Sequence, residues 1–465
     1  MASAPPMRRT SSGQFPLVRE HSLVPVGMAT ILPDAARHVR HLEAELLAHF
    51  NRFGYDEIIL PTFEYLDVLM PGLEPSLLEN SYKIVDRTTG RILLLRPDVT
   101  AQIARTVAMG MVGTHFPLRL SYRATVFRYE PEHAGRDREI FQVGAELIGA
   151  DDPSADSEII MLLIECLRQV GLRSFKISLG HVGFFKGLLI RAGLSSEGQK
   201  RAEQAAARKD VPRLGEILSQ ERVTKRSAHR ILDALELCGQ AEVLSRGRAL
   251  AKGERPLVQA LDRLAHVYRL LCETGFQEAV LLDLGEFRGF DYYDGIVFDV
   301  FTDGIGVELG GGGRYDHLIG RFGRNLPSTG FALSVDRLFR GLNHSDRTKS
   351  AGPEVLAVGP LGLSTRLVSV AQQLRQAGIR TVQRIVNPSG RDLIGAAVKA
   401  GLEAEIDTII VVGTDSPSPE QVVVLHQGNM SMAGRSHASP AVRKKTVSIT
   451  DLIASLRVDL SKGAV

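Results

Sequence analysis

Residues 127–146 have the sequence FRYEPEHAGRDREIFQVGAE, a charged segment between two apolar runs. Its twenty positions hold three arginines, five acidic residues and one histidine. The flanking runs LRLSYRATVFRYE and EIFQVGAELIGA are strand-like, which predicts an antiparallel hairpin with the charges at its tip. Arginines at such a tip are suited to bidentate pairs with carboxylate or phosphate oxygens. A solvated tip of mixed charge would have the same local sequence, so the rest of the chain must distinguish the two.

The composition is that of a globular protein with more than one domain. A chain of 465 residues is too long for one core and predicts two or three domains. The 56 basic and 53 acidic side chains nearly cancel, so we expect no strongly basic face for a long nucleic acid. Cys166, Cys238 and Cys272 are far apart and form no CxxC pair, which predicts reduced, mostly buried thiols in a cytoplasmic protein.

Two further classes of segment are not expected. The N-terminal stretch MASAPPMRRTSSGQ carries two arginines without a following apolar core, so we predict no signal peptide and a flexible lead-in at residues 1–20. No run of eighteen apolar residues occurs, which predicts no membrane span.

The predicted core extends over residues 21–342 and begins with an amphipathic helix at 34–53, N-capped by Asp34. The next segment, DEIILPTFEY, is predicted to be a strand in which Pro61 is tolerated only at an edge or an interface. A strand ending at Arg96 is predicted to run directly into a helix in RILLLRPDVTAQIART.

The second half of the chain predicts two more parts. Residues from about 186 to 272 are helical almost throughout and predict a helical insertion in the core. The polar segment 343–353 predicts a linker. An alternation of strands and helices from 354 onward predicts a small α/β domain at 354–465. Residues 414–446 are predicted to be irregular, as loops or disorder.

The glycine-rich run GIGVELGGGGRYD does not predict a nucleotide-binding loop. No GK[ST] follows it, and no GxGxxG lies between a strand and a helix. Glycines in such a run more often mark places where backbones approach closely. No HExxH and no His/Cys cluster occurs either, so we expect neither a metal site nor a cofactor.

Three segments add polar groups to the charged hairpin. LRPDVT ends a strand with Asp98 and Thr100, RGFDYYDG places Arg288 and two tyrosines at a tight turn, and GFALSVDRL ends in Arg337. Together with FRYE…GRDREIFQVGAE and GGGGRYDHL, in this order, they resemble the core of class II aminoacyl-tRNA synthetases of the histidyl type over about 25–342. The resemblance implies an α+β fold: an antiparallel sheet with flanking helices and a helical insertion, followed by a domain similar to an anticodon-binding domain.

The resemblance also implies roles for single residues. Asp98 and Thr100 match positions that bind the α-amino group of histidine, and Gln142 matches one that contacts the amino acid backbone. Glu146 and Tyr293 match residues that contact the imidazole, and Arg288 matches one that contacts the carboxylate.

The remaining matches concern ATP and the dimer. Arg128 and Arg337 match arginines that hold ATP phosphates; with Glu130 they would form a vestigial ATP site, and Arg128 would also line the histidine pocket. Tyr292 is either a pocket residue or part of the core. Pro61 matches the motif 1 proline at the dimer interface.

The chain departs from the enzymes at specific positions. Asp98-Val99 stands where Glu-Gly is usual, Pro131 where an ATP-contacting arginine is usual, and Asp336 where glutamate is usual. These departures resemble another branch of the family, the synthetase-like regulatory subunits of ATP phosphoribosyltransferase, as do LRPDVTAQIART and SLGHVGFFKGLLIRAGL.

That branch implies a regulatory subunit without catalysis of its own, required by a short-form catalytic ATP phosphoribosyltransferase and responsible for histidine feedback in the first step of histidine biosynthesis. It implies a hetero-octamer of four plus four chains, built on a self-dimer, with L-histidine as allosteric ligand and no tRNA partner. The basic residues 443–445 are interpreted as solvated surface. The alternatives are an active histidyl-tRNA synthetase and a free-standing amino-acid sensor or tRNA-related scaffold with another partner. Histidine could bind in the ancestral pocket or at the subunit boundary.

Overall fold

The computed structural model describes residues 24–111, 115–129, 138–286, 292–342, 355–387, 392–404, 406–413, 420–427 and 442–462. The predicted flexible N-terminus at 1–20 and the predicted linker at 343–353 lie outside these residues. The chain divides into two compact units, residues 1–347 and 348–465.

The helices and strands of the first unit are as follows. The helices are α1 (Pro33–Arg52), α2 (Leu66–Leu69), α3 (Pro75–Glu79), α4 (Val99–Ala108), α5 (Pro153–Gln169), α6 (Val182–Arg191), α7 (Ser196–Ala207), α8 (Val211–Gln220), α9 (Lys225–Leu235), α10 (Glu242–Ala251), α11 (Arg255–Glu273) and α12 (Val335–Gly341). The strands are β1 (Asp56–Glu57), β2 (Phe63–Tyr65), β3 (Lys83–Val85), β4 (Ile92–Leu95), β5 (Leu118–Phe127), β6 (Glu139–Ile148), β7 (Phe175–His181), β8 (Cys238–Gly239), β9 (Val280–Asp283), β10 (Ile296–Thr302), β11 (Gly310–Arg314) and β12 (Ser328–Ser334).

A large mixed sheet forms the centre of this unit. Over the described residues its strand order is β1-β5-β6-β12-β11-β10-β7-β9-β8, and a small separate sheet has the order β2-β4-β3. The pairs in the large sheet are antiparallel except β1 with β5 and β7 with β9. The predicted hairpin is confirmed: β5 and β6 pair from Leu118 opposite Ile148 to Phe127 opposite Glu139.

Helix α1 confirms the predicted amphipathic helix, with one correction at its start. Its apolar positions, among them Leu46 and Phe50, are buried in the main core, and the Phe50 ring meets that of Phe331 edge-on at 5.8 Å. The N-cap is Leu32 rather than the predicted Asp34, because Pro33 begins the helix with its φ already near the helical value. Asp34 instead lies in the first turn.

The predicted strand in DEIILPTFEY is wrong over its middle part. Only β1 and β2 are strands, and residues 58–62 between them are not. Pro61 explains the interruption, because proline lacks the N–H that a ladder of strand hydrogen bonds requires.

The glycine-rich run is strand β11, which lies between β10 and β12. A side chain at Gly312 would overlap the backbone carbonyl oxygen of Gly330 on β12. The run therefore serves close approach of backbones, as predicted, and brings β11 tightly against β12.

Helices α6–α11 fill most of residues 182–273. A buried ionic network ties this helical part to the sheet. Asp156 on α5 accepts from Arg263 Nε of α11 at 3.0 Å and from Arg314 Nε of β11 at 2.9 Å. Arg314 also donates to Asp316 at 2.9 Å, and both Asp156 and Arg314 are almost wholly buried. The network thus fixes β11, the strand that precedes Tyr315, relative to two helices.

The second unit is an α/β domain with one sheet. Its elements are β13 (Val355–Gly359), α13 (Ser364–Gln376), β14 (Thr381–Ile385), α14 (Leu393–Ala404), β15 (Thr408–Val411), β16 (Gln421–Gln427), β17 (Val442–Ser448) and α15 (Ile449–Lys462). The strand order is β14-β13-β15-β16-β17, with β13 parallel to β14 and β15 and the remaining pairs antiparallel.

The prediction of an irregular segment at 414–446 is wrong for β16 and the first part of β17. Val422 and Val424 of β16 pack in the same cluster as Ile449, while Val423 and Leu425 pack on the opposite face. A continuous apolar run of this kind is typical of a strand buried on both faces, and the polar residues on either side of it obscured that pattern. The basic residues 443–445 on β17 are exposed.

Three smaller findings concern the cysteines, membranes and metals. Cys166 is buried and Cys272 is partly buried, whereas Cys238 is exposed, which corrects the expectation for that thiol. Within the described ranges, no helix is both long and apolar enough to span a membrane. The same residues contain no group of three or more His, Cys, Asp or Glu side chains placed to hold a metal ion.

Candidate functional site

A cavity of about 90 Å³ lies where the N-terminus of α4 meets strands β6, β11 and β12. The structure brings most of the predicted site residues to its wall, namely Asp98, Thr100, Arg128, Gln142, Glu146, Tyr292, Tyr293 and Arg337. The predicted residues Glu130 and Arg288, and Pro131 of the charged tip, lie outside the described residues.

Glu146 on β6 is almost wholly enclosed in the cavity wall, with 1% of its surface exposed. Thr100 Oγ1 donates to Glu146 Oε1 at 2.7 Å, and the Tyr315 hydroxyl donates to Oε2. Burial raises the pKa of the Glu146 carboxyl to about 8, although these two hydrogen bonds oppose the rise. Such a carboxyl keeps its proton at neutral pH and gives it up when a cation approaches.

Asp98 is a second buried carboxyl group, and its position follows from the helix that it caps. Its Oδ1 accepts from the backbone N–H of Ala101 at 2.8 Å, which satisfies a free donor in the first turn of α4. The Tyr292 hydroxyl lies 3.4 Å from Oδ2, and Arg128 Nη2 lies 4.0 Å from the same oxygen. Burial raises the pKa of Asp98, and the Arg128 guanidinium opposes the rise.

Tyrosine rings form much of the remaining wall. The ring centroids of Tyr292 and Tyr293 are 4.7 Å apart, and those of Tyr292 and Tyr315 are 5.9 Å apart. Burial raises the pKa of Tyr122, Tyr292 and Tyr315 well above its usual value, so each hydroxyl stays neutral and can donate. Tyr292 both lines the cavity and belongs to a buried cluster, so the two roles considered for it coincide.

The wall residues that were not predicted as site residues include Tyr122, Tyr315 and Glu308. Tyr315 lies inside the GGGGRYDHL segment, which contributes to the family resemblance as a whole without indicating a role for this tyrosine. Tyr122 and Glu308 carry no local signal, because strand pairing brings them to the cavity from distant positions in the chain.

Gly330 on β12 leaves room for the buried carboxyl group. A side chain at this position would overlap the Glu146 carboxyl oxygens. The absence of a Cβ at Gly330 therefore lets Glu146 lie against the backbone of the neighbouring strand.

The two arginines of the predicted ATP site donate hydrogen bonds to other groups of the protein. Arg337 Nη1 donates to the carbonyl oxygen of Glu308 and to its carboxylate Oε1, each at 2.8 Å. Arg128 Nε donates to the carbonyl oxygen of Pro97 at 2.8 Å. The structure thus directs both guanidinium groups into protein contacts at the edge of the cavity.

These groups suit a small zwitterion with a second nitrogen. Asp98 and Glu146 can accept from an ammonium group and a ring N–H, the tyrosines can donate, and a guanidinium can pair with a carboxylate. A small enclosed site with a few convergent polar groups is typical of recognition of one small molecule.

A groove of about 760 Å³ lies elsewhere on the first unit, around β1 and the residues that follow it. Pro61 lines it and is exposed. Ile59 and Met111 line it too, with 88% and 68% of their surfaces exposed. The predicted dimer contact at Pro61 thus lies on an apolar face, and the contact itself stays a prediction.

The comparisons with known proteins agree with this architecture. The histidyl-tRNA synthetase family model matches residues 27–338. The chain is 38% identical over 357 residues to the ATP phosphoribosyltransferase regulatory subunit of Desulforamulus reducens, covering 77% of this chain and 88% of that protein. The structure of an ATP phosphoribosyltransferase regulatory subunit/histidyl-tRNA synthetase from Bacillus halodurans matches with a TM-score of 0.73 and 28% identity, covering 84% of this chain and 98% of that one.

Histidyl-tRNA synthetase from Nostoc sp. PCC 7120 matches with a TM-score of 0.76, covering 94% of this chain and 99% of that one. At 19% identity this is a likeness of fold alone. The predicted class II synthetase-like fold, with a large sheet, flanking helices and a smaller C-terminal sheet domain, is confirmed.

Proposed function

We propose that this chain assembles in the cytoplasm with a short-form catalytic subunit. The premise is that the chain belongs to the family of ATP phosphoribosyltransferase regulatory subunits with a histidyl-tRNA synthetase-like fold. That catalytic subunit joins ATP to phosphoribosyl pyrophosphate, the first step of histidine biosynthesis. The chain does no chemistry itself and supplies activation and histidine feedback. The observation that carries this proposal is the kinship over most of the chain with regulatory subunits.

The ligand of the cavity is L-histidine. Asp98 and Thr100 receive its α-amino group, Glu146 and Tyr293 its imidazole, and Gln142 its backbone, while Arg128 lines the pocket. The carboxylate is assigned to Arg288 by the family resemblance alone, since that residue lies outside the described ranges. The geometry supports this proposal because Thr100, which would receive the α-amino group, donates a 2.7 Å hydrogen bond to Glu146, which would receive the imidazole. The residues proposed for the two nitrogen-bearing groups of histidine are therefore in direct contact.

Feedback acts by population shift. Histidine in the cavity stabilises one arrangement of the complex and so changes the activity of the catalytic partner. The complex is a hetero-octamer with four copies of each chain. It is built on a dimer of this chain through the groove lined by Ile59, Pro61 and Met111, called here the Pro61 face. The exposure of Ile59 and Met111 on that face supports the dimer.

The alternative is an active histidyl-tRNA synthetase. The observation in its favour is that the histidyl-tRNA synthetase family model matches residues 27–338. One departure from the enzymes argues against it, because Pro131 stands where an ATP-contacting arginine is usual. In this chain Arg337 is also engaged by Glu308.

Two assays on the purified full chain distinguish these functions. We expect no pyrophosphate exchange and no charging of tRNA with histidine, ATP and magnesium, and we expect a stable complex of four plus four chains with a short-form ATP phosphoribosyltransferase by light scattering. Robust charging of tRNA would assign the synthetase function. Separate elution of the two proteins at micromolar concentrations would contradict the regulatory function.

A further inference from the structure

The end of the cavity beside α12 carries an ion pair that neither the sequence motifs nor the regulatory role explains. Arg337 matches, by the family resemblance, an arginine that holds ATP phosphates, yet it donates to both the carbonyl and the carboxylate of Glu308 at 2.8 Å. The side chains of Arg337 and Glu308 are only 16% and 34% exposed, so bulk solvent screens this pair weakly.

The sheet fixes the position of Glu308. Its neighbour Leu309 donates its N–H to the carbonyl oxygen of Val300 at 2.8 Å, and the Leu309 carbonyl oxygen accepts from the N–H of Ser334 at 2.8 Å. Because the backbone of residue 309 is tied to a strand on each side, the adjacent residue Glu308 is positioned where its carboxylate reaches Arg337.

The charges of the cavity oppose a polyanion. Among its described lining residues, the acidic side chains are Asp98, Glu146 and Glu308, and the basic ones are Arg128 and Arg337. Because Glu146 keeps its proton at neutral pH, Glu308 is the carboxylate that offsets the charge of Arg337. A triphosphate or pyrophosphate needs guanidinium groups whose charge is not already balanced, and a carboxylate next to the same guanidinium repels it.

We propose that Glu308 is a built-in counter-anion of Arg337, which excludes nucleoside polyphosphates from this end of the cavity and restricts it to ligands of amino-acid size. Glu308 is thereby the residue that separates a sensing pocket from a nucleotide-binding one. This proposal goes beyond the regulatory role and does not depend on histidine being the ligand.

The test compares the full-length unchanged chain with Glu308→Gln, which removes the charge and keeps the size of the side chain. Sodium pyrophosphate and magnesium ATP are titrated into each by calorimetry. We expect Glu308→Gln to bind pyrophosphate at least about tenfold more tightly than the unchanged chain, as removal of one nearby like charge implies. The gain should be lost when Arg337→Ala is added.

The matched control is Glu216→Gln, which removes the carboxylate of an exposed pair with Arg213 on α8, 2.7 Å long. It should leave pyrophosphate binding unchanged. Glu308→Ala serves as a second variant, and thermal unfolding verifies that each variant is folded. Equal pyrophosphate affinity in the unchanged chain and both Glu308 variants overturns the proposal, as does a gain that survives Arg337→Ala.

Histidine titrated into the same proteins reports on the other proposal separately. If histidine does not bind the unchanged chain, the proposed ligand is wrong, whatever the pyrophosphate comparison gives. If histidine binds but Glu308→Gln gains no affinity for pyrophosphate, only the counter-anion proposal fails.

Discussion

Glu146 is wholly buried between Thr100 and Tyr315, and its pKa of about 8 lies far above the 4.5 of an exposed glutamate. The folded chain therefore holds a proton that the unfolded chain has lost at intermediate pH. Stability from this group is fully present below about pH 4.5 and is lost as the pH rises toward about 8, because the unfolded state binds fewer protons in that window.

The first prediction compares Glu146→Gln with the unchanged chain by urea unfolding between about pH 5 and pH 8. Glutamine does not titrate, so the free energy of unfolding of the unchanged chain should fall relative to the variant as the pH rises, by at most about 1.4 kcal/mol per pH unit. A difference that is constant with pH would contradict a raised pKa for Glu146.

The second prediction concerns Gly330→Ala, which places a methyl group against the Glu146 carboxyl. Overpacking of this kind should lower the free energy of unfolding by about 1–3 kcal/mol and weaken histidine binding at least about tenfold. The matched control is Gly306→Ala, since a Cβ at Gly306 meets nothing within 4 Å. Histidine affinity that is the same in both alanine variants would show that Gly330 is not needed for the pocket.

At the scale of elements, the ionic network of Asp156, Arg263 and Arg314 connects α5, α11 and β11. Arg314 directly precedes Tyr315, which donates to Glu146, so the network holds the strand that leads into the pocket. Removal of one partner of a buried pair leaves a charge uncompensated, which is more costly than loss of an exposed pair.

The third prediction follows from this burial. Asp156→Asn should lower the free energy of unfolding by about 3–5 kcal/mol, measured by urea or guanidinium unfolding. The exposed pair of Arg213 and Glu216 gives the control, since Glu216→Gln should cost less than about 1 kcal/mol. Equal costs for the two variants would mean that the network does not hold these elements together.

Local patterns predicted the elements whose signal lies within a few neighbouring residues. The apolar spacing in α1 and the two strand-like runs of the hairpin determine those elements with little help from the rest of the chain. Strand β16 was missed because its apolar run is short and polar residues surround it. Its burial comes from β15 and the helices on both faces, which no local pattern contains.

The same distinction between local patterns and long-range contacts applies to the residues of the candidate site. Asp98, Thr100 and Glu146 could be predicted because they belong to recognisable segments. The contact between Glu308 and Arg337 joins positions 29 residues apart, and that between Tyr315 and Glu146 joins positions 169 residues apart. Such contacts follow from strand pairing, so a single sequence without the fold does not predict them.

At the scale of the whole molecule, the fourth prediction tests the dimer. Ile59→Glu places a charge on the apolar Pro61 face, where Ile59 is 88% exposed, and should shift the chain toward monomer by light scattering. Ile190→Glu on α6 is the matched control, since Ile190 is also exposed, at 59%. A monomer produced equally by both variants would not support a dimer through this face.

The regulatory function is tested by the activity of a short-form ATP phosphoribosyltransferase with and without this chain, over a series of histidine concentrations. We expect activity only with the chain, and inhibition of that activity by histidine. Glu146→Gln should raise the histidine concentration for half-inhibition about tenfold or more, with assembly intact. Unchanged inhibition in that variant would remove Glu146 from the sensing pocket. Catalytic activity that is indifferent to the chain would contradict the regulatory function.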